Sequence, residues 1–138
     1  MNVPELVRLI NERDDELGVD KESFYYGGAV PAIHQLFEGK PVKLFDGSIL
    51  RKFEEIENFA ADYDGSRAPV DGWSSSYADG RAIIVARYTG NSDDDEYFKM
   101  VAYDDSWDNG RPDMWVLSEG IVKVQKVPVD KYKWEEVE

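Results

Sequence analysis

The residues of this sequence with the greatest capacity for chemistry are carboxylates concentrated between residues 91 and 113. Eight acidic residues lie in that segment, against two basic ones, Lys99 and Arg111. Carboxylates can transfer protons, hold a hard metal ion through oxygen atoms, or bind a basic surface. The side chains singled out as candidate binding residues are Asp93, Asp94, Asp95, Glu96, Asp104, Asp105, Trp107 and Asp108.

One interpretation of these residues is a calcium-binding loop, because the run from Asp105 to Gly110 partly matches the EF-hand pattern. With Asp105 at position 1, Asn109 and Gly110 fall at positions 5 and 6. Trp107 and Val116 then occupy positions 3 and 12, where the pattern requires oxygen ligands. We therefore predict no metal site, and a polar turn between strands instead.

Nucleophilic catalysis and nucleotide binding have little support. His34 is the single histidine, it has no nucleophile beside it in sequence, and the chain has no cysteine. A hydrolytic triad needs a base beside its nucleophile, and transition-metal sites are built largely from histidine and cysteine. Gly27-Gly28 is not followed by the lysine that a phosphate loop requires. We name no catalytic residue and predict no cofactor.

Carbohydrate chemistry is the alternative that stays open. Glycosidases use one carboxylate as an acid and a second as a base or nucleophile. Tryptophan rings can supply flat apolar surfaces for sugar rings, and the chain has four: Trp73, Trp107, Trp115 and Trp134. Since tryptophans in a small domain usually serve packing, a small carboxylate-based enzyme or a carbohydrate-binding domain remains the second hypothesis.

The predicted helices lie in the N-terminal half of the chain, and most of the predicted strands lie in the C-terminal half. Apolar residues recur at intervals of three and four, which predicts helices over residues 2–17, 31–38 and 49–62. Runs rich in β-branched and aromatic residues predict strands over residues 41–45, 81–89, 97–103, 114–117, 121–127 and 129–137. Shorter strands are predicted over residues 23–26 and 73–77, and a tight turn at Ser118-Glu119-Gly120. This order predicts an α+β fold in which N-terminal helices pack on one face of a C-terminal, mainly antiparallel sheet.

One hydrophobic core is expected between the two halves, in a single domain that spans residues 1–138. Asn2 is expected to cap the first helix, Gly18 to end it and Asp14 to lie on its outer face. A turn is predicted at Asp46-Gly47, and Ser48 is expected to cap the third helix. The expected core residues are Val7, Ile10, Phe53, Ile56, Ile84 and Val101.

The predicted hairpin of residues 81–89 and 97–103 sets the spacing of the carboxylates. Asp93 to Glu96 lie where the hairpin turns, and Asp104, Asp105 and Asp108 follow the end of its second strand. A strand of this length separates the two groups by roughly 20 Å. Spaced carboxylates of this kind can imitate a phosphate backbone and occupy a basic groove.

The overall charge points in the same direction. The chain has 138 residues, 16 basic and 29 acidic, for a net charge of −13. A protein this negative is repelled by nucleic acid and by anionic lipid, and no run approaches the length of a membrane span. We expect a cytoplasmic protein whose partner is a basic protein, not nucleic acid or membrane.

Our first hypothesis is a non-enzymatic acidic protein that occupies a basic site on a partner. Small, acidic, cysteine-free chains of this class are common among phage-encoded inhibitors and toxin-neutralising immunity proteins, so an inhibitor or immunity protein is the expected form. This hypothesis predicts a convex acidic face. The carbohydrate or enzyme hypothesis predicts a concave pocket in which one carboxylate has a raised pKa. The sequence assigns no oligomeric state.

Overall fold

The computed structural model describes residues 1–18, 31–62, 65–68, 78–91, 94–104, 115–127 and 133–137. These residues form two helices and one antiparallel sheet of seven strands, so the fold is mixed α+β and mostly sheet. The helices are α1 (Val3–Leu17) and α2 (Ala32–Phe37). The strands are β1 (Val42–Lys43), β2 (Ile49–Ala61), β3 (Ala78–Tyr88), β4 (Glu96–Asp104), β5 (Trp115–Leu117), β6 (Val122–Val127) and β7 (Lys133–Glu136).

Both helices lie where the sequence predicts them. The Asn2 side chain accepts a hydrogen bond from the backbone N–H of Glu5, and Gly18 ends α1 in the left-handed conformation at φ 76°. Asp14, expected on the outer face of α1, is buried, and its carboxylate accepts a hydrogen bond of 2.8 Å from the Ala32 N–H. This bond satisfies one of the orphan donors at the start of α2, and it ties the two helices together.

The predicted third helix is wrong, because residues 49–61 form the long strand β2. The register of β2 against β3 shifts twice, between Lys52 and Glu54 and between Glu55 and Glu57. Each shift inserts one extra residue, so residues that share a face are three apart in this stretch instead of two. Phe53 and Ile56 are the inserted residues, and their spacing imitates a helical stripe.

Ser48 closes a hairpin instead of capping a helix. Its N–H donates to the Asp46 carboxylate at 3.0 Å, and its carbonyl accepts a bond of 2.9 Å from the Leu44 N–H. Gly47 has a φ of 89° in the turn between β1 and β2. The predicted Asp46-Gly47 turn is therefore confirmed, and the chain reverses there.

The strands are ordered β1-β2-β3-β4-β6-β7, and β5 also pairs with β4. β5 pairs with the Ala102–Asp104 part of β4, and β6 pairs antiparallel with its Tyr97–Lys99 part. Both segments run in the same direction along the same edge of β4. Residues 118–121 therefore interrupt one strand path and do not reverse the chain, contrary to the predicted tight turn.

Buried residues form two clusters on opposite faces of the sheet, since directly paired residues of antiparallel strands point the same way. The larger cluster joins residues of both helices with one face of β3 and β4, which we call the first face; its strand members include Ile83, Val85, Phe98 and Met100. The smaller cluster lies on the second face and contains Phe59, Ala61, Ala78, Ala82 and Val101.

The prediction of a single core is therefore wrong, because the buried residues form two clusters, one on each face of the sheet. Ile10, Ile84 and Val101 are buried, but Val101 belongs to the second-face cluster. Val7 and Ile56 are 38% and 43% exposed. Val7 lies outside the buried stripe of α1, and Ile56 is an inserted residue of the strand.

The sheet curls over its second face. Four strand spacings separate β2 from β7, about 19 Å in a flat sheet. The rings of Phe53 on β2 and Trp134 on β7 are nevertheless 5.6 Å apart, and Tyr97 lies 5.0 Å from Trp134. The Trp134 indole also donates to Glu54. Bulges of the kind found in β2 bend a strand and increase its twist, which accounts for the curl.

The predicted strands over residues 23–26 and 73–77 lie outside the described residues. None of the described helices is long and apolar enough to cross a membrane.

Candidate functional site

The structure places half of the sequence-predicted binding residues. Asp94, Asp95, Glu96 and Asp104 are described, whereas Asp93, Asp105, Trp107 and Asp108 lie outside the described residues. Asp94, Asp95 and Glu96 lie at one end of β4, and Asp104 lies at the other. The nine residues of β4 span about 26 Å. We call the end that contains Arg87 and Glu96 the hairpin end, and the end that contains Arg81 and Asp104 the pocket end.

At the hairpin end, Asp94 and Asp95 take part in the turn itself. The Asn91 side-chain amide donates to Asp94 at 3.3 Å, and the Thr89 N–H donates to Asp95 at 3.4 Å. The Asp94 N–H donates to the Asn91 carbonyl at 2.9 Å. Asx-type bonds of this kind stabilise a turn, so these carboxylates have local structural partners.

Glu96 is the centre of a charge network at the same end. Its carboxylate receives the Met1 ammonium group at 2.7 Å, Lys123 Nζ at 2.7 Å and Arg87 at 2.8 Å. Only 15% of its side chain is exposed. Burial alone would raise the pKa of Glu96, but the bonds and charges of Lys123 and the terminal ammonium outweigh it and hold that pKa below its ordinary value. Glu96 therefore has its counter-ions within this chain.

Asp46 extends the network to the β1–β2 turn. Its carboxylate pairs with Arg87 at 2.6 Å and accepts from Ser48. Burial opposes the charged form, yet hydrogen bonds from Ser48 and Arg87 lower the pKa of Asp46 to about 2. Arg87 thus links two carboxylates, and the cations of the hairpin end are matched by anions.

The pocket end also carries several carboxylates. The register brings the ends of β2, β3 and β4 together, because Ala61 pairs with Ala78 and Gly80 pairs with Tyr103. Two arginines lie there: Arg67 is paired with Glu57, and Arg81 is paired with Glu55. The further acidic residues at this end are Asp62, Asp79, Asp104 and Glu119.

A pocket of about 300 Å³ opens at this end on the first face of the sheet. Its walls come from β2, β3 and β5, and it is lined by Asn58, Asp79, Gly80, Arg81 and Trp115. The Phe59 ring lies on the opposite face of Gly80, so close that a Cβ at residue 80 would be 2.3 Å from it. Glycine at this position lets the second-face core approach the backbone beneath the pocket.

Arg81 is fixed in the wall of the pocket. Its Nε donates to both Glu55 oxygens at 2.8 and 2.9 Å, and its Nη1 donates to the Phe37 carbonyl at 2.7 Å. The guanidinium also lies 5.0 Å from the centre of the Trp115 ring. A bidentate partner and a carbonyl thus satisfy most of its donors.

Trp115 is held from two sides. Its ring stacks on Phe37 with centroids 5.6 Å apart, and its backbone N–H donates to His34 Nδ1 at 3.2 Å. His34 is 5% exposed, and its Nε2 lies 3.0 Å from Glu38. The two ring nitrogens of His34 thus face a backbone N–H of β5 and the carboxylate of Glu38. The histidine therefore positions a pocket wall from α2.

Two further carboxylates among the described residues, Glu57 and Glu38, have lowered pKa values. Hydrogen bonds from Arg67 lower the pKa of Glu57, and bonds and charges from His34 and Lys40 outweigh burial and lower the pKa of Glu38. The pKa values of Asp46 and Glu96 are lowered as well. Each of these groups is stabilised in its charged form by a cation or donor of this chain. A general acid at neutral pH needs the opposite shift.

No family model, curated protein or solved structure matches this chain. The site is therefore interpreted from its own geometry. Within the part of the chain that the structure describes, no group of three or more histidine, aspartate and glutamate side chains is arranged to hold a metal ion.

Sequence reasoning missed most of the pocket. The sequence distinguishes Trp115 only as one of four tryptophans, and no motif in it marks Asn58, Asp79 or Arg81 as site residues. The helix predicted over residues 49–62 includes Asn58 and separates it from β3. The signal that could have found the pocket is the pairing of β2 with β3, and the two bulges hid that pairing.

Proposed function

We propose that this chain is a non-enzymatic binding protein whose pocket end occupies a basic site on a partner protein. The observation that carries the proposal is the exposed carboxylate of Asp79 at that end. Arg67 and Arg81 are each already paired with a glutamate of this chain, while Asp79 is exposed and has no described ion pair or hydrogen bond. The uncompensated negative charge is complementary to lysine and arginine side chains of another protein.

The segment that joins β4 to β5 adds to this surface in sequence terms. It begins after Asp104 and ends before Trp115, so both of its ends are anchored at the pocket end. It carries Asp105, Trp107 and Asp108, which we propose as further contacts with the partner. An inhibitor or immunity protein, which blocks a basic functional surface, remains the form of binding protein that we favour.

The hairpin-end carboxylates are a weaker part of the proposal. Asp93, Asp94 and Asp95 remain proposed contacts. Glu96 has three cations of its own chain around it, and a basic partner would have to compete with them. We therefore place the main contact at the pocket end.

A sugar-binding role is the second candidate, and the pocket is the observation that favours it. Trp115 offers an aromatic surface, and Asn58 and Asp79 offer hydrogen-bonding groups beside it. Such a combination suits a polar ring.

We also propose that α1 and α2 cover the first face of the sheet. The support is the larger buried cluster, which contains Leu6 of α1, Leu36 of α2 and Ile83 of β3. Nuclear Overhauser contacts between the methyl groups of Leu6 and those of Ile83 or Val85 are expected. Contacts from Leu6 to Tyr97, on the second face, would contradict this arrangement.

The binding proposal is tested by charge variants that leave the fold intact. Asp79→Asn with Glu119→Gln removes two charges at the pocket end, and Glu5→Gln with Asp15→Asn removes two exposed charges from α1 as the matched control. With a partner captured from cell lysate and then purified, association rates are measured at low and moderate salt. We expect the pocket-end pair to slow association about tenfold at low salt and to flatten its salt dependence.

The control pair should change the association rate far less, because its charges are on α1 and neither residue lines the pocket. A third variant, with Asp93, Asp94 and Asp95 changed to asparagine, measures the contribution of the hairpin end. Equal rates for wild type and all three variants would refute the proposal that acidic surface binds the partner.

A further inference from the structure

We propose that the pocket receives one cationic side chain, lysine or arginine, with Asp79 as its counter-ion and Trp115 as its aromatic wall. This inference rests on the proposed function, since it names the chemical group that the partner inserts. It follows from the size of the pocket, the charges around it and the rigidity of its walls.

The size of the pocket suits a single side chain. Its volume of about 300 Å³ is at the lower limit of the range in which ligand pockets are found. The pocket is bounded by two adjacent strand ends and one indole, and it therefore suits one anchor group better than an extended ligand.

The charges around the pocket favour a cation. Arg81 is the positive group in the wall, but Glu55 and the Phe37 carbonyl take its Nε and Nη1 donors. Its charge is therefore compensated within the chain. Asp79 has no such compensation among the described residues, so an entering anion would meet a carboxylate and an entering cation would pair with it.

The aromatic wall already contacts a cation. The Trp115 ring lies 5.0 Å from the Arg81 guanidinium, within the distance at which cations are attracted to an aromatic face. The half-buried indole is fixed by its stack on Phe37, and the backbone N–H of Trp115 donates to His34 Nδ1. A preformed wall spares a ligand the entropic cost of ordering it.

The test uses small probes that separate charge from shape. Acetyl-arginine amide, acetyl-lysine amide and the neutral acetyl-citrulline amide are titrated while amide and indole N–H resonances are recorded by NMR. We expect both cationic probes to shift the resonances of Asn58, Gly80 and the Trp115 indole. The citrulline probe, which resembles arginine in shape, should bind about two- to fivefold more weakly, as the loss of a partly exposed ion pair predicts.

Two variants assign the effect to the pocket. Asp79→Asn should weaken both cationic probes about two- to fivefold and leave citrulline unchanged, whereas Asp94→Asn at the hairpin end should change nothing. Equal binding of arginine and citrulline probes, or cation binding unaffected by Asp79→Asn, would overturn the inference. So would shifts of the same resonances by methyl glucoside but not by the cations, which would favour the sugar-binding candidate.

The same variants separate this inference from the proposed function. If Asp79→Asn alone leaves partner association unchanged while Asp79→Asn with Glu119→Gln slows it, the acidic surface binds the partner but the pocket does not hold its cation. If neither variant slows association, the proposed function itself fails.

Discussion

The two ends of the sheet carry similar numbers of carboxylates and use them differently. At the hairpin end, Glu96 and Asp46 are held by Arg87, Lys123 and the terminal ammonium group. At the pocket end, Asp79 lines a pocket and has no described partner. Carboxylate composition alone therefore does not identify a binding surface in an acidic protein. What distinguishes Glu96 from Asp79 is that the chain supplies three counter-ions to the first and no described counter-ion to the second.

The largest expected effect is at the hairpin end. Glu96→Gln removes the carboxylate that three cations share, and it leaves those cations partly buried without their partner. Breaking such a pair from one side is costly, and we expect a loss of about 2–4 kcal/mol in the free energy of unfolding. Urea denaturation at neutral pH measures it.

The control for this variant is Glu12→Gln, which breaks the exposed pair of Arg8 and Glu12 on α1. A surface pair of this kind contributes less than about 0.5 kcal/mol. If the Glu96 and Glu12 variants lost the same stability, the hairpin end would not be held by charge, and the contrast between the two ends would disappear.

The second-largest expected loss in the free energy of unfolding is at the pocket end, and it comes from packing and not from charge. Gly80→Ala places a Cβ 2.3 Å from the buried Phe59 ring, so the ring or the strand must shift. Overpacking of a core typically costs about 1–3 kcal/mol. The loss should be the same at low and high salt, because no charge changes.

A Gly80→Ala loss that depended strongly on salt would contradict this assignment. Gly120→Ala is the matched control, since a Cβ there meets no atom within 4 Å. We expect it to leave the free energy of unfolding nearly unchanged.

The third effect is the pH dependence of stability that Asp46 contributes at the hairpin end. The pKa of Asp46 is lowered from 3.8 to about 2 in the folded state. A depressed pKa means that the unfolded chain takes up the proton first, so the stabilisation is present above about pH 4 and is lost as pH falls toward 2. Because the carboxylate is partly exposed, we expect it to contribute about 1–2 kcal/mol.

Comparison of wild type with Asp46→Asn isolates this contribution. The difference in unfolding free energy should be largest at pH 6 and should shrink toward zero near pH 2. A difference that stayed constant across this range would show that Asp46 stabilises the turn by its shape and not by its charge.

The sequence predicts the ends of this fold better than its middle. The cap at Asn2, the stop at Gly18 and the turn at Asp46-Gly47 depend on local chemistry, and all three are confirmed. β2 was mistaken for a helix, because its two bulges give same-face residues a spacing of three. A bulge depends on the partner strand, and no local pattern in β2 alone reports it.

The candidate site, like the fold, could be predicted from the sequence only in part. The acidic hairpin is visible in sequence because its residues are consecutive. The pocket joins Asn58, Asp79 and Trp115 from three strands, and only the strand register brings them together. The counter-ions of Glu96 lie 9, 27 and 95 residues away in sequence, in the cases of Arg87, Lys123 and Met1. Charge pairing over such separations is a property of the fold.

The smallest expected effect is the change that Asp79→Asn makes in the free energy of unfolding. It decides whether Asp79, unlike Glu96, is dispensable for folding. Asp79 is exposed and has no described partner, so its loss removes no bond, and it relieves some repulsion in a chain of net charge −13. We expect a change of less than about 0.5 kcal/mol, neutral or slightly stabilising, by urea denaturation. A residue that is neutral for folding and needed for cation binding would be retained for function. A loss above about 1 kcal/mol would instead give Asp79 a structural role like that of Glu96, and the pocket end would no longer have an unpaired carboxylate to offer a partner.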